Sequence, residues 1–189
     1  KKRYLSNPSS LNLFEANAVV FEGPEDYHLR INDENLNINE NSILMIRGCG
    51  PVGYPGSAEV VNMQPPDKLL KKGINTLPTL GDGRQSGTSE SPSILNVSPE
   101  SAIGGGLLIV ETGDKIKIDL NNSRIDLLIS NEEIEKRKKD VKIPKLENQT
   151  PWQEIARKMV GQLETGACLE TESLYLDITN TKGIPRHSH

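Results

Sequence analysis

The stretch GLLIVETGDKIKIDLNNSRIDLLIS, residues 106–130, carries the clearest pattern in the chain. Its opening run, GLLIV, predicts a buried strand, TGD a turn, and KIKIDL a second strand in which apolar residues alternate with polar ones. NNS predicts a further turn and RIDLLIS a third strand. Ser130 then stands where a helix N-cap belongs, ahead of the charged helix NEEIEKRKKD. Strands joined by tight turns and followed by a capped helix predict a mixed, strand-rich α/β domain.

Working outward, residues 1–16 are polar and rich in Ser, Asn and Pro, and are expected to form a tail or linker. NAVVFEG (17–23) and SILMIRG (42–48) are apolar runs that predict strands. Between them, residues 24–33 begin with Pro and two acids, the signature of a short helix. Residues 49–60 are dense in Gly and Pro and predict a structured loop. Residues 65–73 predict a compact helix with Pro at its start and Gly at its stop. INTLPTL (74–80) predicts another strand, and residues 98–102 a helical turn entered through Ser98 with Pro99 in its first position. Toward the C-terminus, 141–150 is expected to be a linker. Residues 150–167 place apolar side chains at 152, 155, 159 and 163, an amphipathic stripe that Thr150 caps. The remaining residues predict a strand and then a polar tail. No internal repeat is found.

A chain of 189 residues can bury a core without disulfide staples. Its net charge of −4 argues against nucleic acid or an anionic membrane surface as partner. Cys49 and Cys168 lie too far apart for a CxxC metal ribbon, and two lone thiols suit a reducing compartment such as the cytoplasm. No apolar run reaches the length of a membrane span, and no signal peptide opens the chain. Without an initiator Met, the chain is expected to be a piece of a larger protein.

Two glycine-rich loops, 47–62 and 81–93, each follow a predicted strand, the position at which rigid scaffolds commonly present ligand-binding groups. Neither carries a Walker or GxGxxG pattern. The residues themselves point no further than a polar ligand, anionic or neutral, or a structural turn. RGCGPVGYPGSAEVVNM (47–63), GDGRQSGTSESPSILNVSPESAIGGGL (81–107) and LISNEEIEKR (128–137) resemble the dihydroxy-acid and sugar-acid dehydratase family. FEGPEDYH (21–28), GDGRQSGTS (81–89), TPWQEI (150–155) and the closing KGIPR with its terminal His189 make the chain most similar to the sugar-acid branch.

The resemblance implies a division into a linker at 1–16, a swivelling β/β/α barrel-like domain at 17–140, and a C-terminal extension with a helix and tail at 141–189. It implies a hydro-lyase that converts an aldonate such as D-xylonate into its 2-keto-3-deoxy acid. A [2Fe-2S] cluster and most Mg²⁺ ligands would belong to an N-terminal domain outside this chain, so the chain alone would be inactive. By the same resemblance Ser86 aligns with the base, Thr88 and His189 with substrate-binding groups, and Glu59 with a Mg²⁺ ligand. Assembly into a homo-oligomer is implied too. A serine hydroxyl is ordinarily a very weak acid and becomes a plausible base only beside a divalent cation and positive charge. Cys49 and Cys168 align with no cluster ligand and are expected to be structural. Glu90 stands where relatives usually have Gly, and the tail PRHSH departs from their pattern. His28, Asp82 and Arg84 receive no role. Two alternatives stay open: a dihydroxy-acid dehydratase of branched-chain amino-acid synthesis, and a non-catalytic binding or assembly module.

Overall fold

The computed structural model describes residues 12–56, 59–86, 90–170 and 172–183, with the backbone alone described at 60, 61, 172–175 and 179. Thr88 and His189 lie outside the described residues.

Eight strands are described: β1 (Leu13–Glu22), β2 (Ser42–Arg47), β3 (Glu59–Val61), β4 (Thr79–Gly81), β5 (Arg84–Gln85), β6 (Ser93–Ile94), β7 (Lys115–Asp119) and β8 (Arg124–Leu127). Six of them form a mixed sheet, curled into a half-barrel, in the order β6-β4-β2-β1-β7-β8. β1, β2, β4 and β6 run parallel, and β7 and β8 close the other side antiparallel. β3 and β5 form a separate parallel pair. The helices are α1 (Gly23–Arg30), α2 (Asp67–Leu70), α3 (Asn131–Asp140), α4 (Pro151–Met159) and α5 (Glu172–Lys182).

The central strands alternate between two cores, as the two-residue period of a strand requires. Ala16, Ala18 and Val20 of β1 join Ile43 and Met45 of β2 in one cluster with Leu80, Ile116 and Ile118. Val19 and Phe21 join Leu44 and Ile46 in the other, with Tyr27, Met63 and Leu77. Each fully buried aliphatic side chain here contributes about 1.5–3 kcal/mol of transfer free energy. The pairing of β7 with β8 follows the alternation read from KIKIDL and RIDL. The Ser130 hydroxyl caps α3 by accepting the N–H of Glu133, and Thr150 caps α4 through Gln153.

Five local readings are corrected. β1 begins at Leu13 rather than 17, because residues 13–17 pair with β7 while residues 17–22 pair with β2. INTLPTL forms a strand only from Thr79. Residues 106–109 form a 3₁₀ turn, not a strand: Arg47 at the end of β2 draws the carbonyls of Leu107, Leu108 and Val110 onto one guanidinium nitrogen at 2.8–2.9 Å. The segment after Cys168 contains helix α5 instead of a strand, ended by Gly183 in the left-handed region at φ 80°. The turn expected from Ser98 starts later, at Ser101, because Glu100 is held extended by hydrogen bonds described below.

Among the described residues, no helix is long and apolar enough to cross a membrane.

Candidate active site

The loops after β2 and β4 leave neighbouring parallel strands at their C-terminal ends, where ligand crevices of open α/β sheets form. Two buried carboxylates fix these loops. Asp82, fully buried, accepts the N–H groups of Gly48 (3.1 Å), Cys49 (2.9 Å) and Ser101 (2.9 Å) and the Ser101 hydroxyl (2.6 Å). Glu100, equally buried, accepts the N–H groups of Val52 (2.9 Å) and Gly53 (2.8 Å) and the side-chain amide of Gln162 (2.8 Å). A buried charge is tolerable when its lone pairs are filled in this way. Close backbone approach completes the arrangement: a Cβ on Gly83 would meet both the Cβ and the carbonyl oxygen of Cys49 at 2.5 Å.

On this support stands the β3–β5 ribbon. Its register sets Glu59 opposite Arg84 and Val61 opposite Gln85. Two residue steps on β3 therefore answer one step on β5, a bulge of the kind that re-aims side chains. Arg84 and Glu59 are exposed, Gln85 is buried, and Ser86, just past the end of β5, is half-buried. The Arg84 guanidinium lies 3.6 Å from the Glu59 carboxylate, with both side chains about half exposed. Beneath them Gln85 accepts a hydrogen bond from Thr79 Oγ1 (3.1 Å), and the Thr79 and Ser93 hydroxyls lie 2.8 Å apart. The fold thus brings Glu59 opposite Arg84, two residues before Ser86, although they are distant in the chain.

The remaining candidates are placed as follows. Glu90 is exposed. His28 stacks edge-on against Tyr27 at 5.2 Å on α1. Cys49 is buried, and its burial pushes the thiol well above the ordinary range, with Asp82 adding to the effect. A thiol held protonated is a poor metal ligand or nucleophile. Cys168 is exposed. The two cysteines therefore do not fit a cluster site. Among the described residues no group of three His, Cys, Asp or Glu side chains could hold a metal ion. Glu59, about half exposed, presents a hard carboxylate oxygen of the kind that Mg²⁺ takes. Sequence reasoning left Asp82 without a role and passed over Glu100 and Gln162. The available signal was an acid between two glycines in GDG, where backbone can close around a carboxylate.

The model of the C-terminal domain of dihydroxy-acid/6-phosphogluconate dehydratases matches residues 4–167. The chain belongs to this dehydratase family. D-xylonate dehydratase of Caulobacter vibrioides is 60% identical over 190 aligned positions, covering 100% of this chain and 31% of that protein. L-arabinonate dehydratase of Rhizobium leguminosarum is 49% identical over 127 positions, 67% of this chain and 22% of the relative. Dihydroxy-acid dehydratase of Thermodesulfovibrio yellowstonii is 37% identical over 163 positions, 86% of this chain and 29% of the relative. The chain thus spans less than a third of the length of these dehydratases.

Proposed function

We propose that this domain forms one wall of the active site of a sugar-acid dehydratase, a hydro-lyase that converts an aldonate such as D-xylonate into the 2-keto-3-deoxy acid. The observation that carries the reading is the β3–β5 register, which sets Glu59 opposite Arg84, two residues before Ser86. The 60% identity to a D-xylonate dehydratase along the whole chain supports this substrate class over branched-chain dihydroxy acids.

In this reading Ser86, as its alkoxide, takes the proton from C2 of the acid and becomes the hydroxyl, and its half-buried place beyond Gln85 keeps it partly shielded from bulk water. Glu59 contributes one carboxylate oxygen to Mg²⁺. Asp82 and Glu100 keep the two loops in place without touching substrate. Thr88 and His189 are assigned to substrate binding. Mg²⁺ and a [2Fe-2S] cluster, when bound, supply Lewis acidity for the developing enolate charge and for departure of the C3 hydroxyl. The cluster and the other Mg²⁺ ligands are assigned to a further domain of a longer, homo-oligomeric protein, against which this domain swivels. The isolated chain is therefore expected to be inactive.

The test is keto-acid formation by the full-length protein, prepared without oxygen, with Mg²⁺ and a panel of aldonates. Turnover of D-xylonate that Ser86→Ala abolishes is expected. Turnover of branched-chain dihydroxy acids in its place would overturn the substrate class, and full activity of Ser86→Ala would overturn the base.

A further inference from the structure

The described arginines differ in how they use their guanidinium groups. Arg47 spends its donors on Glu22 and on three carbonyls. Arg137 is committed to Asp114, Glu133 and the carbonyl of Ile109. Arg30 holds Asp26 and the carbonyl of Val20, and Arg157 holds the carbonyls of Val52 and Glu147. Arg124 pairs with Asp126 at 2.6 Å. Arg84 is the exception. Its described partner is Glu59 at 3.6 Å, beyond hydrogen-bond length, and no described hydrogen bond engages its guanidinium.

We propose that Arg84 binds the carboxylate of the sugar acid, released to do so when a divalent cation takes Glu59. The proposal rests on the reading of Glu59 and Ser86 given above. Three observations carry it. First, Arg84 is exposed beside Glu59 and stands two residues before Ser86, so its guanidinium lies at the start of the loop that carries the hydroxyl. Second, a planar fork of N–H donors matches a carboxylate in a bidentate pair, and among the described residues no hydrogen bond engages those donors. Third, the chain carries a net charge of −4, so an anionic ligand needs a local cation to approach this wall. The loose Arg84–Glu59 pair balances both charges. Once the carboxylate of Glu59 is engaged elsewhere, the guanidinium turns to the ligand's negative end.

The experiment uses the full-length protein with its cluster and Mg²⁺. D-xylonate binding is measured by calorimetry in the Ser86→Ala background, alone and with Arg84→Gln or Arg84→Lys. Mg²⁺ affinity and the thermal midpoint are measured on the same proteins. Arg84→Gln is expected to weaken xylonate binding at least about tenfold, the loss typical of a charged hydrogen bond. Arg84→Lys should recover part of that loss. Mg²⁺ affinity should hold or tighten, since a competitor for Glu59 is gone, and the thermal midpoint should hold. Unchanged xylonate binding in Arg84→Gln would overturn the proposal. So would a loss of xylonate binding accompanied by weaker Mg²⁺ binding or a lower midpoint, because Arg84 would then be a support for the ribbon. These binding measurements do not depend on turnover, so failure of the Ser86 assignment is read separately, from the activity of Ser86→Ala.

Discussion

Glu100 and Gln162 exchange two hydrogen bonds: the Glu100 N–H donates to Gln162 Oε1 at 3.0 Å, and Gln162 Nε2 donates to Glu100 Oε1 at 2.8 Å. The same carboxylate receives the loop after β2. One buried acid thus joins the loop after β2, the turn after β6 and the segment beyond α4. Glu100→Ala strands the N–H groups of Val52 and Gly53 and the Gln162 amide. At about 1–3 kcal/mol for each stranded buried group, the protein is expected to lose roughly 3 kcal/mol or more. Urea unfolding midpoints measure this, and Gln162→Ala should cost less, because the two loop donors keep their acceptor.

Asp82→Asn tests the other staple. The substitution keeps the shape and turns one acceptor oxygen into a donor facing the N–H and hydroxyl groups of Gly48, Cys49 and Ser101. A loss of about 2–4 kcal/mol is expected, the scale of a broken buried charge network. Turnover by the full-length variant should fall as well, because the chain enters β5 through this residue. Wild-type stability in Asp82→Asn would show that the network is dispensable.

Gly83→Ala places a methyl group 2.5 Å from both the Cβ and the carbonyl oxygen of Cys49. The carbonyl belongs to the backbone and cannot swing aside, so the loops must separate. Overpacking of this kind costs about 1–3 kcal/mol. A lowered thermal midpoint is expected, and Gly56→Ala serves as a contrast in which open space surrounds the added methyl but the φ of 94° still strains it.

The cysteines should differ in reactivity and in pH dependence. Cys168 is exposed and should alkylate rapidly, whereas Cys49 should react only on unfolding. Burial raises the Cys49 pKa in the folded state. The unfolded thiol ionises near roughly 8.5, so the unfolded state sheds its proton first as pH rises. The contribution of Cys49 is therefore complete below that value and declines above it. Cys49→Ala should flatten the alkaline fall in stability, which denaturant titrations between neutral and alkaline pH would read.

Trp152, the single tryptophan of the chain, is 60% exposed, and Ile155 on the same stripe is 50% exposed. The helix docks at home through Ala156 and through Arg157, which donates to the carbonyl of Val52 at 2.9 Å. Acrylamide should quench Trp152 steeply in this chain. In the full-length protein the quenching is expected to fall as the stripe is covered, and equal quenching in both would show that the stripe stays in water.

Much of the fold was legible because burial and period agree. SILMIR reads as a strand and fills both cores, and the caps at Ser130 and Thr150 mark helices that form. GLLIV misled because a short apolar run fits a strand or a buried turn equally, and the deciding partner, Arg47, lies about sixty residues upstream. The ribbon was hidden for a similar reason: no local pattern announces that Glu59 pairs with Arg84. Ser86 and Glu59 were reached through family resemblance, while Glu100 looks in sequence like any loop acid until its burial is known.

The half-barrel ends at two edges, a two-residue β6 and the charged β8. On β8 Arg124 and Asp126 are bound to each other, and the strand is four residues long. An edge that is short and salt-bridged offers a poor template for a neighbouring chain. The sheet is thus guarded against the stacking of one copy on another, and this domain should stay dispersed at the high concentrations that structural work demands.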